Sequence, residues 1–405
     1  MRSRTAKNLV STFDASRDFS LVLGGPLYQL LRRTHLSGDA LELLRQRILV
    51  FLAITWLPLL ALSALEGHAW GGRATMPLPF LLDVEANVRF LVALPLLVVA
   101  ELVVHQRMLP VVRQFRERNV VPESAVPRFD AAIASAFRLR NSVAAEVVLI
   151  ALVYMVGVLL FWRYYVALST ATWYATPARD GLRLSLTGMW YAYVSLPFFQ
   201  FLLLRWYFRM FVWSRFLWQA SRLPLSLIPT HPDRVGGLGF LANIVYAFAP
   251  LAVAHGALLA GPIANRIFYL GAALPDFKVE IAVLLVFLLC LVLGPFLVFT
   301  PQLAYAKRTG LREYGTLAER YVREFDAKWV RGHAPADEPF VGSGDIQSLA
   351  DLANSFDVVK TMRFAPITRD TFVVLVAATL VPIVPLALTM MSLEDLLKRL
   401  FGMLF

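Results

Sequence analysis

Cysteine is almost missing from this 405-residue chain: the one present, Cys290, sits in an apolar run. That excludes an intrachain disulfide framework and a thiolate metal site within one subunit, and leaves Cys290 a packing role. Charge is scarce too, at 17% against about 25% in soluble globular proteins. Hydrophobic residues reach 58% and the mean hydropathy is +0.62, so lipid is the solvent for much of the chain. A Gly–Lys–Ser/Thr phosphate loop is absent. No repeat with a period of about 20 to 50 residues is visible, and the two halves do not match as inverted repeats. No motif fixes a reaction, and no cofactor is implied. Met1 to Arg47 is repeatedly charged and lacks the apolar stretch of a cleavable signal, so the first apolar span is expected to remain as an anchor.

What is present is a series of apolar runs. A crossing helix needs about 20 mostly apolar residues, because lipid satisfies no backbone N–H or C=O. Seven stretches qualify: Ile48–Leu65, Arg89–Val104, Val143–Trp162, Thr187–Tyr207, Leu238–Asn265, Val279–Thr300 and Thr371–Met391. The expected fold is an all-α polytopic bundle. Residues 1–47 form a cytoplasmic segment, 48–300 six spans, 301–369 a cytoplasmic helical region, 370–391 the last span and 392–405 an amphipathic tail. With the N-terminus inside, Lys and Arg outnumber those outside roughly threefold, as the positive-inside bias requires. The C-terminus then lies outside, and the membrane is the plasma (inner) membrane. The net charge of +11 is explained by that bias and by anionic headgroups, with no need for nucleic acid. Trp162, Tyr164, Tyr165, Trp173, Trp190 and Tyr191 are expected in an outer aromatic belt, and Trp206, Tyr207, Trp213 and Trp218 in an inner one.

Two spans read as continuous with long cytoplasmic helices, Arg128–Leu168 and Thr187–Leu223, each about 55–60 Å at 1.5 Å per residue. After span six, Leu311–Val330 and Ile346–Met362 have helical spacing around a Gly/Pro/acid-rich link. Ile346, Leu349, Leu352, Ala353 and Phe356 make one sticky face. Two helices are too few for a core of their own, so they are expected to pack on the helix extensions or on a second copy. Phe19–Leu36 reads as an interfacial helix on the inner surface.

Ionisable groups within apolar spans are costly, so their positions carry the functional signal. Glu101 and His105 share a helix face at the inner end of span two. Glu146 lies one turn into span three, Arg205 and Arg209 close the inner end of span four, and Asn243 sits near the inner end of span five. Glu101, Glu146 and Arg205 have complementary charge and can pair. They form either a polar vestibule open to the cytoplasm or ion pairs that fix packing. The outer half is sparser, holding His255, beside Ala254 and Gly256, and Glu280 at the start of span six. The segment from Pro229 to Phe240 contains His231, Asp233, Arg234, Gly236 and Gly237, a pattern for helix capping or an anion-binding backbone concavity. His231 and Asp233 are two possible metal ligands, too few to define a site. Pro58, Pro95, Pro197, Pro250, Pro295, Pro382 and Pro385 each free a carbonyl within a span, which suits a pore or gate.

The central parts of spans three, six and seven hold no carboxylate, which argues against a proton- or sodium-coupled pump. Three functions remain: a channel or uncoupled passage for small ions, anions by its basic vestibule, built by a homo-oligomer; a scaffold or sensor holding a cytoplasmic partner on the Ile346–Met362 face; and a lipid-handling enzyme with His231, Asp233 and Arg234 at headgroup level.

Overall fold

The structure, a computed structural model, describes residues 19–33, 43–70, 78–158, 172–178 and 181–390. The expectations for residues 1–18, 34–42, 159–168 and 391–405 lie outside them. In chain order the described helices are α1 (Pro26–Arg33), α2 (Leu44–Leu65), α3 (Val84–Glu117), α4 (Val126–Arg140) and α5 (Val143–Leu152). An antiparallel hairpin follows, β1 (Ala175–Ala178) and β2 (Gly181–Leu184), with Ala175 opposite Leu184. Then come α6 (residues 186–220), α7 (Gly239–Leu270), α8 (Leu274–Val330), α9 (Gly344–Lys360) and α10 (Arg369–Leu380).

Four of these, α2, α3, α7 and α8, are long and apolar enough to cross a membrane. A fifth crossing counts if Glu123–Arg140 and Val143–Gly157, bent by 46°, act together. Polar side chains set several starts. Asp83 Oδ1 accepts from Ala86 N at 3.1 Å to open α3, and Ser185 Oγ accepts from Gly188 N at 2.9 Å to open α6. Gly271, at φ 66°, closes α7.

Four prolines in the spans are absorbed by local changes of pitch, while Pro58 lies within the regular helix α2. A π turn, Arg89–Ala93, precedes Pro95, and another, Tyr191–Ser195, precedes Pro197. The 3-10 turn Gly239–Phe248 precedes Pro250, and Pro295 lies within the 3-10 turn Gly294–Phe299. Proline has no N–H for the preceding carbonyl, and re-pitching the turn before it lets the helix continue.

Interhelix contacts separate the chain into two ends. At one, Trp173 Nε1 donates to Asp83 Oδ2 at 2.8 Å, Asn265 Nδ2 donates to Asp83 Oδ1 at 2.8 Å, and Leu186 N donates to Glu66 Oε1 at 2.7 Å. At the other, rich in arginine, residues 19–27 meet 140–146, Gln302 Nε2 donates to Ser221 O at 2.6 Å, and Arg363 N donates to Arg234 O at 2.7 Å. The core between them holds an aromatic cluster in which Phe19 lies 4.9 Å from Phe216 and Phe115 lies 5.4 Å from Phe129, ring centre to ring centre. On α7, a Cβ at Gly256 would fall 2.0 Å from Thr379 O of α10. Only glycine lets these two backbones approach so closely.

Four expectations change. The Arg128–Leu168 helix breaks at Asn141–Ser142, because Ser142 Oγ caps the next helix by accepting from Ala145 N at 3.2 Å. Phe19–Leu36 is not a surface helix from its start. Phe19, Leu21 and Val22 are buried in the core, and helix begins only at Pro26, after Gly24 and Gly25 turn the chain with φ of 147° and 88°. Four belt aromatics, Trp173, Tyr191, Trp206 and Trp213, are core residues. The Trp173 and Trp206 indoles find acceptors inside the protein, Asp83 and Leu97 O. Cys290 faces outward rather than packing in the core.

Candidate functional site

Five buried charges meet at the arginine-rich end. Arg47 comes from the first turn of α2, Glu101 from α3, Glu146 from α5, and Arg205 and Arg209 from one face of α6. They are 2%, 5%, 8%, 5% and 4% exposed respectively, so these groups have given up their water. Glu101 is the hub. Its Oε2 accepts from Arg47 Nη2, its Oε1 lies 2.7 Å from Arg209 Nη2 and 3.9 Å from Arg205 Nη1. Arg205 bridges to the second carboxylate, with Nε 3.5 Å from Glu146 Oε1. Arg209 also lies over the Trp206 ring at 4.9 Å.

Residues 19–27 close this cluster. Leu27 N donates to Glu146 Oε2 at 3.0 Å, Gly25 N donates to Asn141 Oδ1 at 3.0 Å, and Arg205 Nη2 donates to Gly24 O at 3.4 Å. Arg140, at the end of α4, reaches over the segment, donating through Nη1 to Ser20 O and lying 4.5 Å over the Phe137 ring. Ser20 Oγ accepts from Val22 N and Leu23 N, so its own proton points to His105 Nδ1 at 2.9 Å. Beside Gly24, between Arg140, Arg205, Arg209 and Glu146, is a cavity of about 10 Å³. That is room for about one water.

The sequence-derived candidates thus divide. Glu101, His105, Glu146, Arg205 and Arg209 converge on one place. Asn243 does not: it is exposed on α7. His255 belongs to a separate contact, where its Nδ1 lies 2.7 Å from Leu251 O and must donate, leaving Nε2 to accept from Tyr207 Oη at 2.8 Å. Both ring nitrogens are used between α6 and α7. The 229–240 loop folds on itself. Asp233 Oδ1 accepts from Val235 N at 2.9 Å and Gly237 N at 3.1 Å, and Oδ2 accepts from Gly239 N at 2.7 Å. The concavity holds its own carboxylate, so an outside anion would have to displace it. His231 Nδ1 lies 2.9 Å from Asp233 Oδ1, Arg234 is exposed, and Gly236 O accepts from Ile228 N. Among the described residues no three His, Cys, Asp or Glu side chains group as metal ligands.

Sequence reasoning missed Arg47, Arg140, Ser20 and the glycine pair. Arg47 and Arg140 sit in basic stretches assigned to topology. Gly24–Gly25–Pro26, a turn followed by a helix start, was the signal for the strap.

The fold and the apolar helices define a helical membrane protein. Set against protein-family models, curated proteins and solved structures, the chain matches none.

Proposed function

We propose that this protein is a passage for small anions through the plasma (inner) membrane, uncoupled to any ion gradient, with the buried arginine–glutamate cluster on its path and residues 19–25 as a strap that closes the cytoplasmic mouth. The observation that carries this reading is the charge balance under the strap. Arg47, Arg205 and Arg209 are buried with Glu101 and Glu146, three cations against two anions among the described residues, and half-buried Arg140 adds a fourth cation on the cavity wall. Excess positive charge held away from water is costly unless an anion visits it. With a cavity of about 10 Å³ beneath it, the closed form conducts nothing at this point, so opening means withdrawing the strap.

We place seven crossings in this reading, with the N-terminus and the α8–α9 hairpin in the cytoplasm. Its support is the segregation of interhelix contacts into two ends, with α2, α3, α6, α7 and α8 each leading from one to the other, and the basic bias at the end that holds the strap.

The test is anion efflux from vesicles containing the purified chain. Chloride leaves faster than from empty vesicles, and Phe19→Ala raises the rate about tenfold or more, since truncating a buried phenylalanine costs the docked strap about 3–5 kcal/mol and each 1.4 kcal/mol is tenfold in population. Efflux equal to empty vesicles for both proteins overturns the reading.

A second reading has its own observation. On the hairpin, Leu317, Val322, Phe340, Val341 and Ile346 are exposed, an apolar surface fit to hold a second copy or a cytoplasmic partner. Val341→Asp with Ile346→Asp abolishes such capture; an unchanged set of bound proteins and unchanged mass in detergent removes it.

A further inference from the structure

We propose that the cavity beside Gly24 is a binding site for one monatomic, monovalent anion of chloride size, held chiefly by Arg205. The inference rests on reading the cluster as an anion site and names the class of anion it takes.

Arg205 is the first ground. A buried guanidinium normally donates at about 2.7–3.2 Å. Every polar contact of Arg205 among the described residues is longer: 3.4 Å to Gly24 O, 3.5 Å to Glu146 and 3.9 Å to Glu101. Its neighbour Arg209, one turn on, has a close carboxylate at 2.7 Å. Arg205 is therefore a cation buried without a close acceptor, and it lines the cavity. Arg47 shows the same shortage: its Nε and Nη1, fully enclosed, have no hydrogen-bond partner among the described residues.

Size and lining select the ligand. Space for about one water excludes phosphate, sulfate or a carboxylate, each several heavy atoms across, while a halide, a single atom somewhat larger than water, replaces that water with only small shifts of the lining side chains. Leu21, Phe208 and Val212 make the remaining wall apolar, which suits an anion that sheds its water easily. Glu146 stands on the same wall. Its charge opposes a dianion more than a monoanion and keeps the monoanion weakly held, as release requires.

The experiment uses the full chain in detergent, in sodium gluconate, titrated with sodium chloride, bromide or sulfate at constant ionic strength. Thermal unfolding and chloride NMR line width are both read. Chloride and bromide raise the unfolding midpoint saturably by about 2–4 °C and broaden with the protein, while sulfate does neither. Glu146→Gln, which keeps an acceptor for Leu27 N and removes the opposing charge, tightens chloride about tenfold. Arg205→Gln abolishes the effect, and where that variant does not fold, Arg205→Lys weakens it. No halide dependence, an equal response to sulfate, or unchanged chloride affinity in Glu146→Gln overturns the site. Saturable chloride binding in a chain that passes no anion keeps the site and sinks the passage. Anion efflux without halide-selective binding does the reverse.

Discussion

Glu101 holds the arginine-rich end together, because two guanidinium groups lean directly on it. Removing one partner of a buried ion pair leaves the other charged and dry. Glu101→Ala is therefore expected to destabilise the protein by about 3–5 kcal/mol, seen as loss of the monodisperse peak in detergent on heating. Gly25 is the second sensitive position. Its φ is 88°, and a Cβ would lie 3.1 Å from Glu146 Oε1 and 3.2 Å from Arg140 O. Gly25→Val adds about 1–3 kcal/mol of backbone strain to the docked strap, and limited proteolysis should then cut the N-terminal segment markedly faster with the rest of the chain intact. At this scale the sequence was partly readable. Glu101, Glu146, Arg205 and Arg209 stand out because each interrupts an apolar run, where an unpaired charge is expensive. Arg47 and Arg140 carry no such contrast, being surrounded by other polar residues, and only tertiary contact reveals them as members of the cluster.

Among the elements, the α8–α9 hairpin is pinned at the end joined by the 331–343 link by Lys328, whose Nζ lies 2.9 Å from Asp345 Oδ2, and by Trp329, whose Nε1 donates to the same oxygen at 2.7 Å. These hydrogen bonds, from Lys328 first and Trp329 second, hold the Asp345 carboxyl below its ordinary 3.8. A lowered carboxylate adds stability above that ordinary value and loses it as pH falls through the lowered one. Trp329 fluorescence is accordingly expected to stay constant down to about pH 4 and to change below it, and Asp345→Asn to remove the transition. Where α7 crosses α10, Gly256→Leu has no room beside Thr379 O and should abolish folding to a monodisperse species, while Gly332→Ala, in open space, perturbs only the turn. Helix periods were legible at this scale. The break before α5 was not read, although Ser142 caps α5 from its own first turn; the contacts of Asn141 Oδ1 with Gly25 N and Arg140 Nε beside it form only in the folded chain.

For the whole molecule, the proposed topology is open to a direct check. In a Cys290→Ala background, Asp276→Cys should react with an impermeant maleimide added outside intact cells and Asp337→Cys only after permeabilisation. The opposite pattern inverts the orientation, and equal labelling at both removes the crossing by α8 between them. Apolar runs made the candidate membrane-crossing helices α2, α3, α7 and α8 legible in the sequence. The closure of the arginine-rich end did not show, because it joins segments far apart in the chain. Gly24 and Arg205, which meet there, are 181 residues apart. At about 5–20 residues per second, ribosomal synthesis separates their emergence by about 9–36 s. Through that interval Phe19, Leu21 and Val22 have no Trp213 or Phe216 to pack on, and the neighbouring membrane surface is the apolar refuge at hand. Docking of the strap is thus a late event in biogenesis, and the newly inserted protein passes through a stage in which its arginine cluster is uncovered before residues 19–25 dock on it.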